Sequence, residues 1–255
     1  MTHPIGNRKS EIGSALAVVL ARAGSKGLPS KNALPCAGRP MLAWTLEHAS
    51  ASQRIGRVVL STDGPVLADT ARSMGVEVIE RPAELADDTA PVDAAARHAV
   101  ETLEARRGHF LDAVVILYGN VPVRPADLTD RALAKLAATG CDSVQSLSPV
   151  GKHHPWWMKR LGGEDGDALK PYHPNGVYRR QDLPPVYALD GGVIAVTRES
   201  LFTVTPGEPH AFLGNDRRAI VCEHEGEVID VDTAIDLKLA GVVLSEREAS
   251  RREAG

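Results

Sequence analysis

Short apolar runs rich in β-branched residues alternate along this chain with longer stretches of helical character. The first run, Ala15–Leu20, contains no polar residue, as expected of a strand that is buried on both faces of a sheet. Strands that alternate with helices form right-handed βαβ units, so the pattern predicts a mostly parallel, doubly wound α/β sheet. The predicted strands after the first are Arg57–Thr62, Val76–Ile79, Ala113–Leu117, Gly191–Val196, Ala219–Cys222 and Val228–Val231.

Prolines mark the starts of the helices between these strands. Pro40, Pro65, Pro91 and Pro125 stand at or just before a helical stretch, where the missing N–H of proline costs nothing. In such a sheet the ligand binds at the carboxyl ends of the strands, so functional residues are expected in the loops there. The predicted helices are Met41–Ser52, Val66–Met74, Val92–Arg106, Ala126–Thr139 and a closing helix near Thr233–Leu244.

The alternation stops near Val150 and resumes only toward the end of the chain. Residues 151–188 include Trp156 and Trp157 and have no helical periodicity, which predicts an irregular or β-rich lobe inserted into a single domain of residues 15–245. Residues 1–14 are predicted to form a flexible tail, and residues 246–255 a charged, frayed tail.

Charge and cysteine usage exclude several classes of protein. Lys and Arg number 29 against 33 Asp and Glu, a formal net charge of -4, whereas nucleic-acid-binding proteins usually carry a basic surplus. Cys36, Cys141 and Cys222 form no metal-binding pattern and no disulfide framework, which favours a reducing compartment. Met1–Ser14 lacks the apolar core of a signal peptide, and no apolar run approaches the ~20 residues that span a bilayer. The sequence predicts a cytoplasmic protein with no nucleic-acid or membrane partner.

One window of the sequence departs from this mild acidity. The 35 residues between Glu11 and Glu47 contain no Asp or Glu, although they carry four cations, those of Arg22, Lys26, Lys31 and Arg39. The buried first strand accounts for part of the window. The rest indicates a local site for an anion within an acidic protein.

The loop that follows the first strand reads ARAGSKGLPSKN over residues 21–32. Its glycines let the backbone approach a ligand closely, and successive N–H groups can cradle phosphate oxygens. The loop is neither a Walker A sequence nor a GxGxxG fingerprint, and a structural turn with solvated lysines is the alternative. The candidate nucleotide-binding residues here are Ala21, Arg22, Ala23, Gly24, Ser25, Lys31 and Asn32.

This loop resembles the R-x-x-S-K-G-x-x-x-K-N signature of the acylneuraminate cytidylyltransferases, the CMP-sialic acid synthetases. Further segments resemble that family in the same order: STDG at residues 61–64, RPAELADDTA at 81–90, RQDLP at 180–184 and IDVDT at 229–233. The resemblance covers roughly residues 16–239. It implies a Rossmann-like nucleotidyltransferase sheet whose inserted lobe makes a homodimer and reaches into the partner's site.

Two carboxylates near the end of the chain are candidate metal ligands. Asp230 and Asp232 are two apart on a predicted strand, so their side chains are expected on one face, where hard oxygen ligands suit Mg²⁺. The alternative is that Asp232 caps the helix that begins after Thr233. The resemblance implies that the two aspartates hold a catalytic Mg²⁺.

The reaction that the resemblance implies is attack by the anomeric hydroxyl of a 2-keto sugar acid on the α-phosphorus of CTP, with pyrophosphate leaving. Phosphoryl transfer of this kind needs charge neutralisation and in-line positioning. Catalytic roles are implied for Arg22, Lys31 and Asp232. Nucleotide contacts are implied in addition for Arg81, Thr89 and Ala90.

The acceptor side departs from the family pattern. Where the family has QPTSPLR, residues 118–124 read YGNVPVR, and where it has F-R-x-N-G, residues 187–191 read YALDG. These changes favour an acidic acceptor other than N-acetylneuraminate: a related nonulosonic acid, or alternatively Kdo, a phosphonate or a sugar phosphate. A non-catalytic nucleotide-binding module is a further alternative. The candidate acceptor-binding residues are Tyr118, Asn120, Arg124, Lys159, Arg180, Gln181 and Asp190.

Overall fold

A computed structural model describes residues 15–25, 27–108 and 111–253 of the chain. The predicted tail of residues 1–14 lies outside the described residues, as do Lys26, residues 109–110 and residues 254–255. Within the described part, no helix is both long and apolar enough to cross a membrane.

The strands of the described residues fall into one large sheet and two small hairpins. They are β1 (Ala15–Leu20), β2 (Pro35–Cys36), β3 (Arg39–Pro40), β4 (Arg57–Thr62), β5 (Glu77–Glu80), β6 (Ala113–Tyr118), β7 (Ser143–Pro149), β8 (Lys159–Gly162), β9 (Ala168–Pro171), β10 (Tyr187–Thr197) and β11 (Arg217–Val221). The large sheet has the order β11-β7-β10-β6-β1-β4-β5, and β2-β3 and β8-β9 are the hairpins. In the large sheet β10 alone runs antiparallel to its neighbours β6 and β7 among the described strands, so the predicted mostly parallel sheet is confirmed.

Helices cover both faces of the sheet. They are α1 (Met41–Ala51), α2 (Pro65–Ser73), α3 (Val92–Arg107), α4 (Leu128–Thr139), α5 (Arg198–Leu201) and α6 (Ala234–Glu253). Alternate residues of β1 enter two separate cores: Val19 packs with residues of α1, α2 and α4, whereas Val18 packs with residues of α3. The fully apolar first strand therefore reflects burial on both faces, and the doubly wound arrangement is confirmed.

The structure differs from the sequence-based expectation in one additional strand, one missing strand and a longer last helix. β7 was not predicted, because its sequence SVQSLSP is largely polar although it lies inside the sheet. Val228–Val231 is not a strand of the sheet, since only Ile229 makes an isolated bridge, to Val123. The frayed tail is wrong for residues 246–253, because α6 continues to Glu253 and Arg247 donates to the carbonyl of Arg124 at 2.8 Å.

The predicted inserted lobe corresponds to the segment between β7 and β10. It contains the β8–β9 hairpin and short 3-10 turns at Gly151–His153, Pro155–Trp157 and Arg180–Asp182. The expectation of an irregular or β-rich segment is confirmed. The role of this segment in a dimer stays a prediction.

A buried histidine makes the stability of the fold sensitive to acid. His48 of α1 lies 2.8 Å from the hydroxyl of Thr129, and burial, followed by the charge of Arg124, lowers the pKa of His48 to about 3. The folded protein thus keeps this ring neutral at pH values where the unfolded chain protonates it. Below pH ~6.5 this group is expected to reduce the free energy of unfolding by up to about 1.4 kcal/mol per pH unit, down to the folded pKa.

Urea denaturation at pH 7.5 and pH 4.5 tests this expectation. His48→Gln, which cannot take up a proton, should lose clearly less stability between the two pH values than the wild type does. An equal loss in both proteins would contradict it.

Candidate active site

The carboxyl ends of β1 and β6 and the segment that follows β5 enclose a cavity of about 260 Å³ at one edge of the sheet. We term it the basic cavity. Tyr118 and Asn120, which follow the apolar part of β6, also line it. The predicted nucleotide-binding residues that line it are Arg22, Gly24, Ser25, Lys31, Asn32, Arg81 and Ala90. The structure therefore brings together most of the residues predicted from three separate motifs.

The glycine-rich loop is fixed by contacts that its own sequence does not contain. The N–H of Ala23 donates to the Asp63 carboxylate at 2.8 Å, so the STDG segment at the end of β4 holds the backbone of the loop in place. A Cβ on Gly27 would lie 3.1 Å from the carbonyl oxygen of Asp232, and a Cβ on Gly64 would lie 3.0 Å from the Cβ of Ala23. Glycine at Gly27 thus allows close approach to the backbone of Asp232, and glycine at Gly64 allows close approach to the Ala23 side chain.

Lys31 joins the loop to the carboxylate pair. Its Nζ lies 2.6 Å from an Asp232 carboxylate oxygen, although the two residues are 201 positions apart. Asn120 donates to the Asp230 carboxylate and, at 3.4 Å, to the carbonyl of Val231. Desolvation by the surrounding protein, followed by the nearby charge of Asp232, raises the pKa of Asp230 to about 6. The two carboxylates thus lie beside the loop that carries the cations.

Asp232 does not cap the last helix. The carboxylate of Asp236 accepts from the N–H groups of Asp232 at 3.2 Å and Thr233 at 2.8 Å, and the Thr233 hydroxyl accepts from the N–H of Asp236 at 3.3 Å. Thr233 and Asp236 therefore form a capping box at the start of α6. The carboxylate of Asp232 is left to face Lys31, which removes the alternative of a cap.

The remaining cations of the basic cavity are held in defined positions. Arg22 forms an ion pair with Asp88 and donates to the carbonyl of Ala86 at 3.4 Å. Arg81 donates to the carbonyl and the hydroxyl of Ser61 at 2.7 and 3.1 Å, and burial lowers its pKa to about 10. With this pKa the Arg81 guanidinium remains charged at neutral pH, and it is fixed to β4, whereas Arg22 is fixed to the 81–90 segment.

Asn32 is almost fully buried between the loop and the sheet. Its side-chain amide donates to the carbonyl of Arg22 at 3.1 Å, and its carbonyl oxygen has no hydrogen-bond partner among the described residues. Ala21 is buried at the end of β1, and Ala23 is exposed. Neither alanine lines the basic cavity, so these two predicted residues contribute to the site only through the backbone.

A second cavity of about 520 Å³ adjoins the first, and we term it the apolar cavity. The two share Tyr118 and the segment of Ala90–Val92, and Thr89 lines the second cavity rather than the first. Burial, followed by the charge of Asp230, raises the pKa of Tyr118, so its phenol stays protonated at the junction. The side chains that dominate its walls are apolar and include Val193, Ile194, Phe212 and Leu213.

Two residues predicted to bind the acceptor have structural partners instead. Arg124 is 4% exposed, and its guanidinium donates to the carbonyls of Gly192 at 2.6 Å, Tyr118 at 2.9 Å and Val121. Its guanidinium also donates to the hydroxyl of Thr45 at 3.0 Å, so these buried acceptors hold it in the core, and it lines neither cavity.

Asp190 has a comparable structural setting in β10. Its carboxylate accepts from the hydroxyls of Ser146 and Ser148 and from the N–H of Gly192, where the register of β10 against β7 shifts. A Cβ on Gly192 would lie 2.8 Å from the Ser146 hydroxyl, so the bulge is tightly packed. Like Arg124, Asp190 lines neither cavity in the described part of the chain.

Three further predicted residues lie on the segment between β7 and β10. Lys159, Arg180 and Gln181 are exposed, and none of them lines either of the two cavities in the described chain. Their contact with an acceptor stays a prediction that depends on a partner subunit.

Sequence reasoning missed the polar residues of the apolar cavity. Gln145 on β7 and Arg217 on β11 line it together with His210. No local signal reveals Gln145, because its strand SVQSLSP is largely polar and does not alternate between polar and apolar residues. Arg217 carried no motif, because its position depends on β11 pairing with β7.

Comparison with known proteins identifies a protein family whose members are similar to this chain. The family model described as cytidylyltransferase matches residues 16–177. The chain is 32% identical over 230 residues to the CMP-N,N'-diacetyllegionaminic acid synthase of Legionella pneumophila, over 88% of this chain and 93% of that protein. It is 29% identical to an N-acylneuraminate cytidylyltransferase of Streptococcus agalactiae over 72% of this chain, and it spans 44% of that longer protein. It is 28% identical to a pseudaminic acid cytidylyltransferase of Campylobacter jejuni over 64% of this chain and 76% of that protein.

Solved structures share the fold at lower sequence identity. A CMP:2-keto-3-deoxy-manno-octonic acid synthetase complexed with CTP has a TM-score of 0.67 at 20% identity, over 92% of this chain and all of the other. A 4-diphosphocytidyl-2C-methyl-D-erythritol synthase from Anaerococcus prevotii has a TM-score of 0.54 at 17% identity, over 91% of this chain and 99% of the other. These two likenesses bear on the fold alone, and they agree with the doubly wound sheet described above.

Proposed function

The chain belongs to the cytidylyltransferase family, and from that premise we propose that it transfers CMP from CTP to a hydroxyl of an acidic sugar, releasing pyrophosphate. One observation carries this proposal: a cavity lined by Arg22, Lys31 and Arg81 opens, through Tyr118, into a second and largely apolar cavity. Two adjoining cavities of opposite character suit one polyanionic substrate and one larger organic substrate.

The basic cavity suits the nucleotide. Arg22 and Lys31 supply positive charge for the triphosphate, and Ser25 and the N–H groups of the glycine-rich loop supply neutral donors. In the structure, Arg22 is paired with Asp88 and Lys31 with Asp232, so the triphosphate would take over cations that are now neutralised by carboxylates. Asn32 and Arg81, deeper in the cavity, are proposed to contact the cytidine.

Asp230 and Asp232 are the proposed ligands of Mg²⁺. No cluster of three or more metal-ligating side chains occurs in the described part of the chain, but Mg²⁺ needs only one or two carboxylates when phosphates and waters complete its shell. Burial, followed by the charge of Asp232, raises the pKa of Asp230, and a cation bound between the two carboxylates would favour their ionised forms. When bound, the ion would neutralise charge on the phosphates during transfer.

The residues of this chain contribute to the reaction by positioning the two substrates and by stabilising charge. The attacking hydroxyl of the acceptor lies at the junction near Tyr118, where a bond forms from its oxygen to the α-phosphorus of CTP. The bond from the α-phosphorus to the bridging oxygen breaks, the hydroxyl proton is lost to solvent, and pyrophosphate leaves. Lys31 and Arg22 stabilise the charge that develops on the phosphate oxygens, and in-line placement supplies much of the rate.

A pyrophosphate-release assay with several acids tests the proposed function. We expect release from CTP with a nonulosonic acid, and much slower release from ATP, GTP and UTP. Release only with Kdo, a phosphonate or a sugar phosphate would change the acceptor class. If calorimetry shows CTP binding while no acceptor gives pyrophosphate, the protein is a nucleotide-binding module instead.

A homodimer is proposed for the segment between β7 and β10. Leu161 of β8 and Leu169 of β9 are paired across the hairpin and are 71% and 70% exposed, which leaves an apolar pair open to a partner. Tyr178, 92% exposed, lies in the same segment. A second copy covering this segment would also bring Lys159 and Arg180 toward a neighbouring site.

Light scattering at micromolar concentration tests the dimer. The wild type is expected at about twice the 27.2 kDa chain mass, and the double variant Leu161→Asp/Leu169→Asp at the mass of one chain. Leu161→Ile/Leu169→Val is the matched control and should remain dimeric. A monomeric wild type would overturn this proposal without affecting the proposed reaction.

The cytoplasmic location stays a proposal. Cys36, Cys141 and Cys222 are buried and free, which is the state expected in a reducing compartment.

A further inference from the structure

A group of charged side chains lies at the end of the sheet opposite to the basic cavity. Arg57 is the first residue of β4, and Glu77 is the first residue of β5. The basic cavity lies beyond the carboxyl ends of the strands, so the length of β4, roughly 16 Å, separates the two places. Ligands of doubly wound sheets bind at the carboxyl ends of the strands, so the transfer reaction does not account for charges at this end.

The strand pairing turns two of these side chains toward α3. Val59 of β4 packs with residues of α3 in one core, and it is paired with Glu77 of β5. Arg57, two residues before Val59 on the same strand, therefore faces α3 as well. The last turn of α3 adds Arg106 and Arg107 to the same place.

Three guanidinium groups share the carboxylate of Glu77. The guanidinium nitrogens of Arg57, Arg106 and Arg107 lie 3.2, 3.4 and 3.3 Å from its oxygens. The carbonyl end of α3 attracts cations in its own last turn, but it does not account for Arg57, which comes from a strand. We term the three arginines the arginine cluster. Together with Glu77 they carry two positive charges in excess, and like charges this close repel one another unless a further anion joins them.

A cavity of about 460 Å³ opens on the arginine cluster. Gly56, Leu103 and Leu111 also line it, so cations and an apolar wall face the same space. Glu104 lines it as well, but its carboxylate accepts from Arg198 through two contacts of 2.7 Å, and this hydrogen bonding lowers the pKa of Glu104. The charge of Glu104 is thus balanced by a guanidinium outside the cluster.

We propose that the arginine cluster binds a phosphate group, either free phosphate or the phosphate of a small phosphorylated molecule, at a site separate from the active site. Guanidinium groups match phosphate oxygens in geometry as well as in charge. A dianionic phosphate balances the two excess positive charges, and an organic group attached to it packs on Leu103 and Leu111. The proposal does not depend on the proposed function.

Titration of ribose 5-phosphate and, separately, of inorganic phosphate, followed by ³¹P NMR, tests the site. Because phosphates also suit the basic cavity, every protein in the test carries Arg22→Gln/Lys31→Gln, which removes two cations there. At about 0.1 M salt and without Mg²⁺, we expect each probe to bind. Tighter binding of ribose 5-phosphate assigns the site to a phosphorylated molecule, and equal binding assigns it to phosphate itself.

Two changes in the cluster should move the affinity in opposite directions. Arg57→Gln/Arg106→Gln should weaken binding of both probes by about tenfold or more, because two charge-assisted donors are lost. Glu77→Gln should strengthen binding by about threefold or more, because it removes a carboxylate that repels the phosphate.

Arg251→Gln/Arg252→Gln is the matched control. These two arginines stand in the last turn of α6, and their loss changes the net charge by the same amount. They pair with Glu47 and Glu248 at 3.9 and 3.8 Å, away from the cavity. The control should keep its affinity within about twofold, because salt screens distant charges.

The outcomes separate this inference from the proposed function. Unchanged phosphorus signals for both probes, or equal weakening in the cluster variant and the control, overturn the site. Should Arg57→Gln/Arg106→Gln fail to fold, Glu77→Gln decides, and binding no tighter than before overturns the site as well. Transfer is measured separately, by pyrophosphate release from the unaltered chain, so either proposal can fail without the other.

Discussion

Lys31→Ala is expected to lower kcat/KM for CTP by about a hundredfold to a thousandfold, the usual loss when one fixed donor to a developing charge is removed. Lys31 is the residue through which the glycine-rich loop reaches the carboxylate pair, at 2.6 Å from Asp232. Its ammonium supplies charge on one side of the triphosphate and holds Asp232 in place on the other. No other side chain that lines the basic cavity in the described chain occupies that position.

Steady-state pyrophosphate release measures this loss. Asp232→Asn is expected to have an effect of similar size, and the double variant should lose much less than the product of the two single losses, because the two residues act as one unit. Lys135→Ala is the control: its Nζ donates to the carbonyl of Ala219 at 2.5 Å, and it lines neither cavity. Near wild-type turnover in folded Lys31→Ala would remove the residue from the mechanism.

Arg124→Met is expected to lower the free energy of unfolding by about 3–5 kcal/mol, since it removes the four hydrogen bonds that one buried, charged guanidinium donates. The carbonyl of Gly192 would lose its side-chain donor where the polypeptide is shielded from water, and the carbonyls of Tyr118 and Val121 would keep only the weaker, neutral donors that they already have, such as the Thr45 hydroxyl. Part of this loss is offset, because the substitution also removes the cost of desolvating a buried charge. That same desolvation lowers the pKa of Arg124 to about 9. Methionine fills a similar length of space, so a cavity contributes little.

Urea denaturation at pH 7.5 measures this change. Arg131→Met is the matched control, because Arg131 is exposed on α4 and pairs with Asp127 at 3.6 Å, an interaction worth at most about 1 kcal/mol. A loss below about 1 kcal/mol in Arg124→Met would mean that the carbonyls find other donors. The structural role of Arg124 would then be wrong.

The amino-terminal half of the fold could be predicted from the sequence because its signals are local. Ala15–Leu20 is buried on both faces and therefore entirely apolar, and Pro65 stands at the first position of α2. The basic cavity was predicted for the same reason, since Arg22 through Asn32 lie in one loop after one strand. Arg81 and Ala90 reach the cavity from a distant segment that only the resemblance indicated, and the contact between Lys31 and Asp232 was not predicted.

The carboxyl-terminal half depended on pairing that no local pattern encodes. β10 is antiparallel within a mostly parallel sheet, and it contains a bulge against β7. The carboxylate of Asp190, which we predicted to bind the acceptor, instead accepts hydrogen bonds that hold this bulge. Arg124, which follows β6, likewise donates to buried main-chain carbonyls and does not line the cavity proposed for the acceptor sugar. Conversely, Arg217 reaches the apolar cavity only because β11 pairs with β7, and nothing in its own neighbourhood indicates a site.

The most direct measurement of the central claim is ³¹P NMR of CTP incubated with the protein, Mg²⁺ and an acetamido-bearing nonulosonic acid. The account predicts that the CTP signals are replaced by those of a phosphodiester between CMP and the acid and of pyrophosphate, in equal amounts. Pyrophosphate accompanied by free CMP, or CTP that remains unchanged with every acidic acceptor, would contradict it.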